Sequence, residues 1–153
     1  MPTTGERGVR AAHDLHDFLC DWLVGALPRT AEAFAPFDEA MAPDLRVISP
    51  LGTLTLRDDL LREFEGTHGV LSGKAGAFEI RVENARVLHD LGEWAVVTYE
   101  EWHVLDGDAS ARLATALFRR REGAPNGVEW VHVHETWLPG RAPAGGERFP
   151  QPA

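Results

Sequence analysis

The most constraining feature of this sequence is the run EWVHVHETWLPG at residues 129–140, which is rich in Val, Trp and Thr and ends at a Pro-Gly turn. This composition, closed by such a turn, predicts a β-strand over residues 130–137. Because side chains alternate along a strand, one face would carry Trp130, His132, His134 and Thr136. The other face would carry Val131, Val133, Glu135 and Trp137. Neither face is suited to bulk water, so we expect both to be covered in the folded protein.

Upstream of this strand, helical periodicity gives way to alternation. Apolar residues recur every three or four positions over residues 9–27, and shorter helical patterns follow around Pro36 and after Asp58, with a small hairpin at residues 45–56 between them. From Phe78 onward the apolar residues alternate along three strands before the final one. Three helices followed by a four-stranded meander predict an α+β fold, in which a curved antiparallel sheet wraps the helices and leaves a pocket. We predict one domain at residues 9–138, with flexible termini at residues 1–8 and 139–153.

Composition excludes several classes of protein. The formal net charge of −9 over 153 residues disfavours nucleic-acid binding, because phosphate backbones would be repelled. No run approaches the roughly 18 apolar residues of a membrane span, and the start MPTTGERGVR lacks the apolar stretch of a signal peptide. We therefore expect a cytoplasmic protein with no membrane partner. The single cysteine, Cys20, excludes an internal disulfide framework and a multi-cysteine metal site.

The order of elements and several local motifs resemble a known family. AFAPFDEAMAPDLRVISPLGTLTLRDDLL is similar to the second helix, first strand pair and third helix of the SnoaL-like bacterial branch of the nuclear transport factor 2-like superfamily. GEWAVVTYEEW is similar to its central strand, and ATALFRRR with EWVHVHETW to its closing pair. The resemblance implies a cone-shaped α+β barrel that often forms homodimers through the outer sheet face. It also implies a pocket used by isomerases, dehydratases, cyclases, hydrolases and non-enzymatic binders, so fold alone does not decide function.

The predicted pocket follows from which side chains point inward. Ala95 resembles the inward alanine of the family, which would turn Tyr99, Glu101 and His103 toward the pocket, although a bulge in this strand would exchange Glu101 for Glu100. We predict four catalytic candidates: His132, His134, His103 and Glu101. We predict a ligand-binding lining of Trp130, Tyr99, Thr115, Thr136, Leu113, Leu117 and Phe34. Such a lining suits a small and largely apolar organic molecule.

Three functions fit this set of residues. In the first, the histidines and Glu101 form a metal-free acid–base set without a cofactor, acting as an isomerase, dehydratase or cyclase on a carbonyl or enol substrate. In the second, His132 and His134, about 7 Å apart along a strand, bind a divalent metal with His103 or Glu101 as a third ligand. In the third, the same residues line the pocket of a non-catalytic ligand-binding or accessory protein. The sequence favours metal-free chemistry over a metal site and leaves open whether the protein is an enzyme.

The opposite face of the meander predicts a protein interface. Val131, Val133 and Trp137 on the last strand, with Val96 and Trp102 on the long strand, would form an apolar surface. Apolar surface of this extent is unusual on a monomer, so we predict a two-fold homodimer through this outer face.

Overall fold

The computed structural model describes residues 1–144, which form three α-helices and one six-stranded sheet. The helices are α1 (Thr4–Leu23), α2 (Ala31–Ala40) and α3 (Arg57–Glu65). The strands are β1 (Met41–Ile48), β2 (Leu54–Leu56), β3 (Phe78–Leu91), β4 (Trp94–Leu105), β5 (Asp108–Arg120) and β6 (Val128–Trp137). Within these described residues, no helix combines the length and the hydropathy needed to cross a bilayer.

The sheet order is β2-β1-β6-β5-β4-β3, with β2 and β3 at its two edges, so the sheet is not closed. Strands β3 to β6 form the predicted antiparallel meander. The β1–β2 hairpin joins this meander through β1, which pairs in parallel with β6. The predicted α+β architecture, a curved sheet packed around three helices, is therefore confirmed.

Helix α1 begins earlier than the sequence pattern indicated. Thr3 and Glu6 form a capping box, in which the Glu6 amide donates to Thr3 Oγ1 at 3.1 Å and the Thr3 amide donates to Glu6 Oε1 at 3.3 Å. The prediction of a flexible segment over residues 1–8 is wrong, because this cap starts the helix at Thr4.

At the other end of the chain, residues 145–153 of the predicted flexible tail lie outside the described residues. Just before them, the chain stays paired with β5: the Leu138 amide donates to the Ala111 carbonyl, and the Ala111 amide donates to the Arg141 carbonyl, each at 3.0 Å.

Two glycines let α1 lie directly on the sheet. A Cβ atom at Gly8 would stand 2.7 Å from Phe118 Cδ2 and 3.1 Å from Val97 Cγ2. A Cβ atom at Gly5 would stand 2.5 Å from Val87 Cγ1. Only glycine permits this close approach. The approach sets the distance between α1 and the sheet, and therefore how far the α1 side chains reach into the core.

A bulge in β6 reverses the faces of the last strand. Phe118 pairs with Trp130 but Leu117 pairs with His132, so Val131 is an extra residue in the ladder. Trp130 therefore points into the core together with Val133 and Glu135, whereas His132 is half-buried and His134 and Thr136 are exposed on the outer face. The predicted inward orientation of His132, His134 and Thr136 is wrong, because one inserted residue exchanges the two faces of a strand.

The predicted faces of β5 are also reversed. Leu113 and Thr115 are exposed and Leu117 is half-buried, while their neighbours Arg112, Ala114, Ala116 and Phe118 are buried. Thr98 pairs with Thr115 and Glu100 with Leu113, which puts these β5 residues beside the outward residues of β4. The orientation of β4 itself follows the prediction, with Tyr99, Glu101 and His103 buried and Glu100 turned outward.

Candidate ligand-binding and acid–base site

A cavity of about 60 Å³, which we call the inner cavity, lies between the three helices and the sheet. Nine of its lining residues are apolar: Leu15, Leu19, Phe37, Met41, Leu45, Val47, Leu60, Phe64 and Val133. Its six polar or amphipathic lining residues are His16, Tyr99, Glu101, Arg112, Trp130 and Glu135. Four elements, α1, β4, β5 and β6, supply these six residues, so the polar part of the site exists only in the folded chain.

Glu101 is held by two histidines. His16 Nε2 lies 2.8 Å from Glu101 Oε1, and His103 Nε2 lies 2.5 Å from Glu101 Oε2. His16 Nδ1 faces the Ala12 carbonyl oxygen at 2.6 Å. A carbonyl and a carboxylate oxygen both accept hydrogen bonds, so His16 satisfies both neighbours only when it carries protons on both ring nitrogens.

These contacts shift the pKa values of both partners. Burial acts to lower the pKa of His16, but the charge of Glu101 and its hydrogen bond outweigh burial and raise that pKa above 6.5. Burial acts to raise the pKa of Glu101, but His16 and His103 outweigh it and hold that pKa well below 4.5. Glu101 is therefore an ionised carboxylate and His16 its imidazolium partner.

A second buried carboxyl group behaves in the opposite way. Arg112 Nη1 donates to Glu135 Oε1 at 3.2 Å, between neighbouring strands β5 and β6. Burial raises the pKa of Glu135 to about 7, and the nearby charge of Glu101 adds to this, although Arg112 opposes both. Glu135 thus gains and loses its proton near neutral pH, as a general acid or base must.

Two aromatic residues carry polar groups beside these charges. The ring centroid of Tyr99 lies 5.3 Å from that of His16 and 6.2 Å from that of Trp130, both edge to face. Burial and the charges of Glu101 and Glu135 raise the pKa of Tyr99 well above 10, so its hydroxyl stays a neutral donor. Trp130 Nε1 is buried and has no hydrogen-bond partner among the described residues.

A larger cavity of about 240 Å³ lies beside the inner one, and we call it the side cavity. It is lined by His103 and Arg112 from the sheet, by the β4–β5 turn region and by residues 142–144. His103 therefore stands between Glu101 and the side cavity.

The structure brings together four of the residues predicted from sequence and separates the others. Glu101, His103, Tyr99 and Trp130 meet at or beside the inner cavity. Six of the predicted residues lie on the outer face of the sheet: His132, His134, Thr136, Leu113, Thr115 and Leu117. Phe34 lies in an aromatic cluster with Phe18, Trp22 and Phe37, and does not line the cavity.

Three residues of the site escaped the sequence interpretation: His16, Arg112 and Glu135. His16 had a readable signal, since it falls within the buried α1 stripe of Ala12, Leu19 and Leu23. No sequence signal identified Arg112 or Glu135, because the bulge in β6 exchanges the strand faces that alternation predicts. Within residues 1–144, no group of three or more His, Cys, Asp and Glu residues is arranged to hold a metal ion.

Comparison with known proteins identifies the family. The model of the sucrose-6-phosphate phosphohydrolase C-terminal family matches residues 15–139. The chain belongs to this family. Two curated relatives from Nicotiana tabacum, sucrose-phosphatase 2 and sucrose-phosphatase 1, are 23% and 22% identical over 126 residues. That match covers 82% of this chain but 29% of each relative, so the chain spans less than a third of their length.

Solved structures show the same fold in proteins with other names. An NTF-2 like protein of unknown function from Pseudomonas aeruginosa superposes with a TM-score of 0.73 at 24% identity, covering 86% of this chain and 98% of its own. The S. rosetta CaMKII hub gives 0.62 at 17% identity, covering 90% and 98%. A putative ketosteroid isomerase from Parabacteroides distasonis gives 0.53 at 16% identity, covering 80% and 84%. The predicted nuclear transport factor 2-like fold is confirmed, and the SnoaL-like branch is compatible with these neighbours.

Proposed function

We propose that this domain binds a small, mainly apolar organic molecule bearing a carbonyl or enol oxygen, and moves a proton on it without a metal. The observation that carries the proposal is the opposite protonation of two buried carboxyl groups at one apolar cavity. Glu101 stays ionised between two histidines, while Glu135 titrates at about pH 7. Paired groups with separated pKa values are typical of acid–base sites.

The residues take distinct roles in this proposal. The Glu135 carboxylate removes a proton from the carbon next to the carbonyl, the electron pair moves onto the oxygen, and the Tyr99 hydroxyl donates a hydrogen bond to the enolate that forms. Returning the proton to the same or another carbon gives exchange or isomerisation, so no oxidant or other reactant is consumed. His103 holds Glu101 in place from the side-cavity end, with its Nε2 2.5 Å from Glu101 Oε2.

The size of the inner cavity narrows the ligand. A volume of 60 Å³ has room for about four water molecules. We therefore favour a small organic ligand, or the small reactive part of a larger one. A disaccharide phosphate, as in the names of the relatives, far exceeds this room, and the net charge of −9 opposes a phosphate.

Proton abstraction can be measured without knowing the natural substrate. Cyclopentanone in D₂O exchanges its α-hydrogens slowly, and we expect the wild-type protein to accelerate this exchange as followed by ¹H NMR. Glu135→Gln should reduce the acceleration by at least about 100-fold, because it removes the general base. Glu100→Gln, an outward carboxyl group on β4, is the matched control and should keep the full rate. Exchange that is no faster with wild type than with Glu135→Gln would contradict the proposed chemistry.

A second candidate function is an accessory role in a homodimer formed through the outer sheet face. Two observations favour it. Leu113 is 37% exposed on that face beside half-buried Leu117, Val96 and Trp102. Several structural neighbours are CaMKII hub or association domains. Val133, which we had placed on this face, lines the inner cavity and is no part of the surface.

The dimer has its own test. Leu113→Glu should convert the dimer to monomer in native mass spectrometry, because a charge in an apolar interface lacks a partner. Leu51→Glu, at a residue 71% exposed in the β1–β2 turn, is the control and should leave the dimer intact. A dimer unchanged by Leu113→Glu would exclude this face.

With a single cysteine the chain suits a reducing compartment, and we keep the cytoplasm as its proposed location.

A further inference from the structure

Trp130 lines the inner cavity and carries a buried indole N–H that has no hydrogen-bond partner among the described residues. The residue is 2% exposed, and its Nε1 has no acceptor within residues 1–144. In two other tryptophans the indole N–H has an acceptor. Trp22 Nε1 donates to the Phe64 carbonyl at 2.9 Å, and Trp102 Nε1 donates to Glu100 Oε1 at 3.0 Å. A buried donor without an acceptor lowers the stability of a protein, so its presence calls for an explanation.

The polar groups around Trp130 are committed to one another. The two oxygens of Glu101 are bonded by His16 and His103, and Glu135 Oε1 is bonded by Arg112. The nearest ring to the indole is Phe118, at 4.5 Å between centroids, which offers no acceptor oxygen. Trp130 thus lines the inner cavity with a buried donor, while both oxygens of Glu101 and one oxygen of Glu135 already accept hydrogen bonds.

We infer that the Trp130 indole N–H recognises an acceptor oxygen of the ligand, which makes Trp130 the residue that selects a ketone, aldehyde or ester over a hydrocarbon of the same shape. The inference rests on the proposed function and narrows its substrate class. The apolar walls hold the carbon part of the ligand by burial, while the indole supplies the directional contact. Tyr99 assists the developing charge during proton transfer, whereas Trp130 binds the neutral oxygen beforehand.

Recognition by a buried donor has a measurable signature. A site that expects a hydrogen bond discriminates strongly against an analogue that cannot make it, because the protein group is left unpaired. Cyclopentanone and methylenecyclopentane have the same size and shape but differ in the acceptor oxygen. The wild-type protein should bind the ketone at least about fivefold more tightly than the hydrocarbon, which corresponds to about 1 kcal/mol.

The experiment combines both probes with ¹⁵N-labelled protein. Among the indole resonances of five tryptophans, the one from Trp130 should move downfield with cyclopentanone and stay in place with methylenecyclopentane. Trp130→Phe keeps an aromatic ring and removes the donor, so it should weaken ketone binding about fivefold and leave hydrocarbon binding within about twofold. Trp94→Phe, a half-buried tryptophan stacked under Arg119, is the control and should change neither affinity.

Each other outcome has a definite meaning. If both probes bind in the cavity and Trp130→Phe weakens them equally, the inference is overturned while pocket binding stands. If neither probe perturbs Met41 or Leu60 up to its solubility limit, the proposed function and the inference both fail. The titration of the wild-type indole resonance needs no variant, so a poorly folded Trp130→Phe protein would not remove the test.

Discussion

Glu101 and Glu135 are equally hidden from solvent, at 5% and 6% exposed, yet their pKa values move in opposite directions. Glu101 has two imidazoles within 2.8 Å, one on each oxygen. Glu135 is contacted by Arg112 at 3.2 Å and also faces the negative charge of Glu101. Burial acts to raise the pKa of both carboxyl groups. The number and closeness of the hydrogen-bond donors around each one therefore decide which carboxyl group stays charged.

This difference divides the site into a fixed part and a titrating part. Around Glu101 the charges are settled before a ligand arrives, and the geometry is held from α1 and β4 together. Around Glu135 the protonation state is undecided at neutral pH, which is where proton transfer to a ligand requires the least change. Substitutions that act on one part and spare the other test this division.

The largest effect is expected from Glu101→Gln. It leaves buried His16 and His103 without their common charged partner, so the free energy of unfolding at pH 7 should fall by about 3–5 kcal/mol. Urea unfolding measures the loss. Glu100→Gln should cost well under about 1 kcal/mol, because that side chain lies on the outer face. Similar losses in the two variants would contradict the fixed charge at Glu101.

Glu135→Gln should have a smaller effect that depends on pH. In the unfolded chain Glu135 releases its proton near pH 4.5, whereas in the folded protein it keeps the proton until about pH 7. The folded state therefore binds more protons in this window, and this residue's contribution makes stability fall as pH rises. Glutamine cannot ionise, so the variant should gain about 3 kcal/mol relative to wild type between pH 4.5 and pH 8. Unfolding curves at several pH values measure this gain, and a constant difference would refute the raised pKa.

Gly8→Ala should disturb Glu101 more than Glu135. The new Cβ would stand 2.7 Å from Phe118 Cδ2, so α1 must move away from the sheet, at a cost of about 1–3 kcal/mol. His16 moves with α1, so its pKa should fall toward 6.5 in NMR titrations while the Glu135 pKa changes little. Gly66→Ala is the control, because a Cβ there meets atoms no closer than 3.5 Å. An unchanged His16 pKa would show that the helix position does not set this contact.

The smallest effect is expected from the double change His132→Ala and His134→Ala. His132 is half-buried and His134 exposed on the outer face, away from both carboxyl groups. We expect a stability change within about 0.5 kcal/mol and an unchanged rate of cyclopentanone exchange. Loss of exchange in this variant would return the catalytic role to the histidines that the sequence pattern first suggested.

Strand β4 shows how far alternation alone can predict a site. Its pairing with β5 runs without interruption from Trp94 to Leu105, so the inward placement of Tyr99, Glu101 and His103 followed from parity. Strand β6 shows where parity fails. Nothing in the amino-acid sequence identifies Val131 as an extra residue in the ladder, yet this single insertion exposes His134 and buries Glu135.

The helices show a similar division. The apolar stripe of α1 was readable, and its histidine could have been assigned to the core because Ala12 and Leu19 flank it at helical spacing. The contact of His16 with Glu101 spans 85 positions in the chain, and a single sequence carries no signal for such a distance. The early start of α1 depended on the Thr3–Glu6 cap, a short motif that periodicity does not detect.

The parallel pairing of β1 with β6 also governs the order in which this fold can be completed during synthesis. The β1–β2 hairpin and the β3–β5 meander leave the ribosome first, and each presents an open strand edge where β6 will later insert. Until residues 128–137 emerge, the two halves of the sheet have no strand to join them, and Trp130 and Glu135 are missing from the core. The nascent chain must therefore hold two unpaired edges until its last strand arrives, which makes that interval the time when it is most exposed to aggregation and most dependent on chaperones.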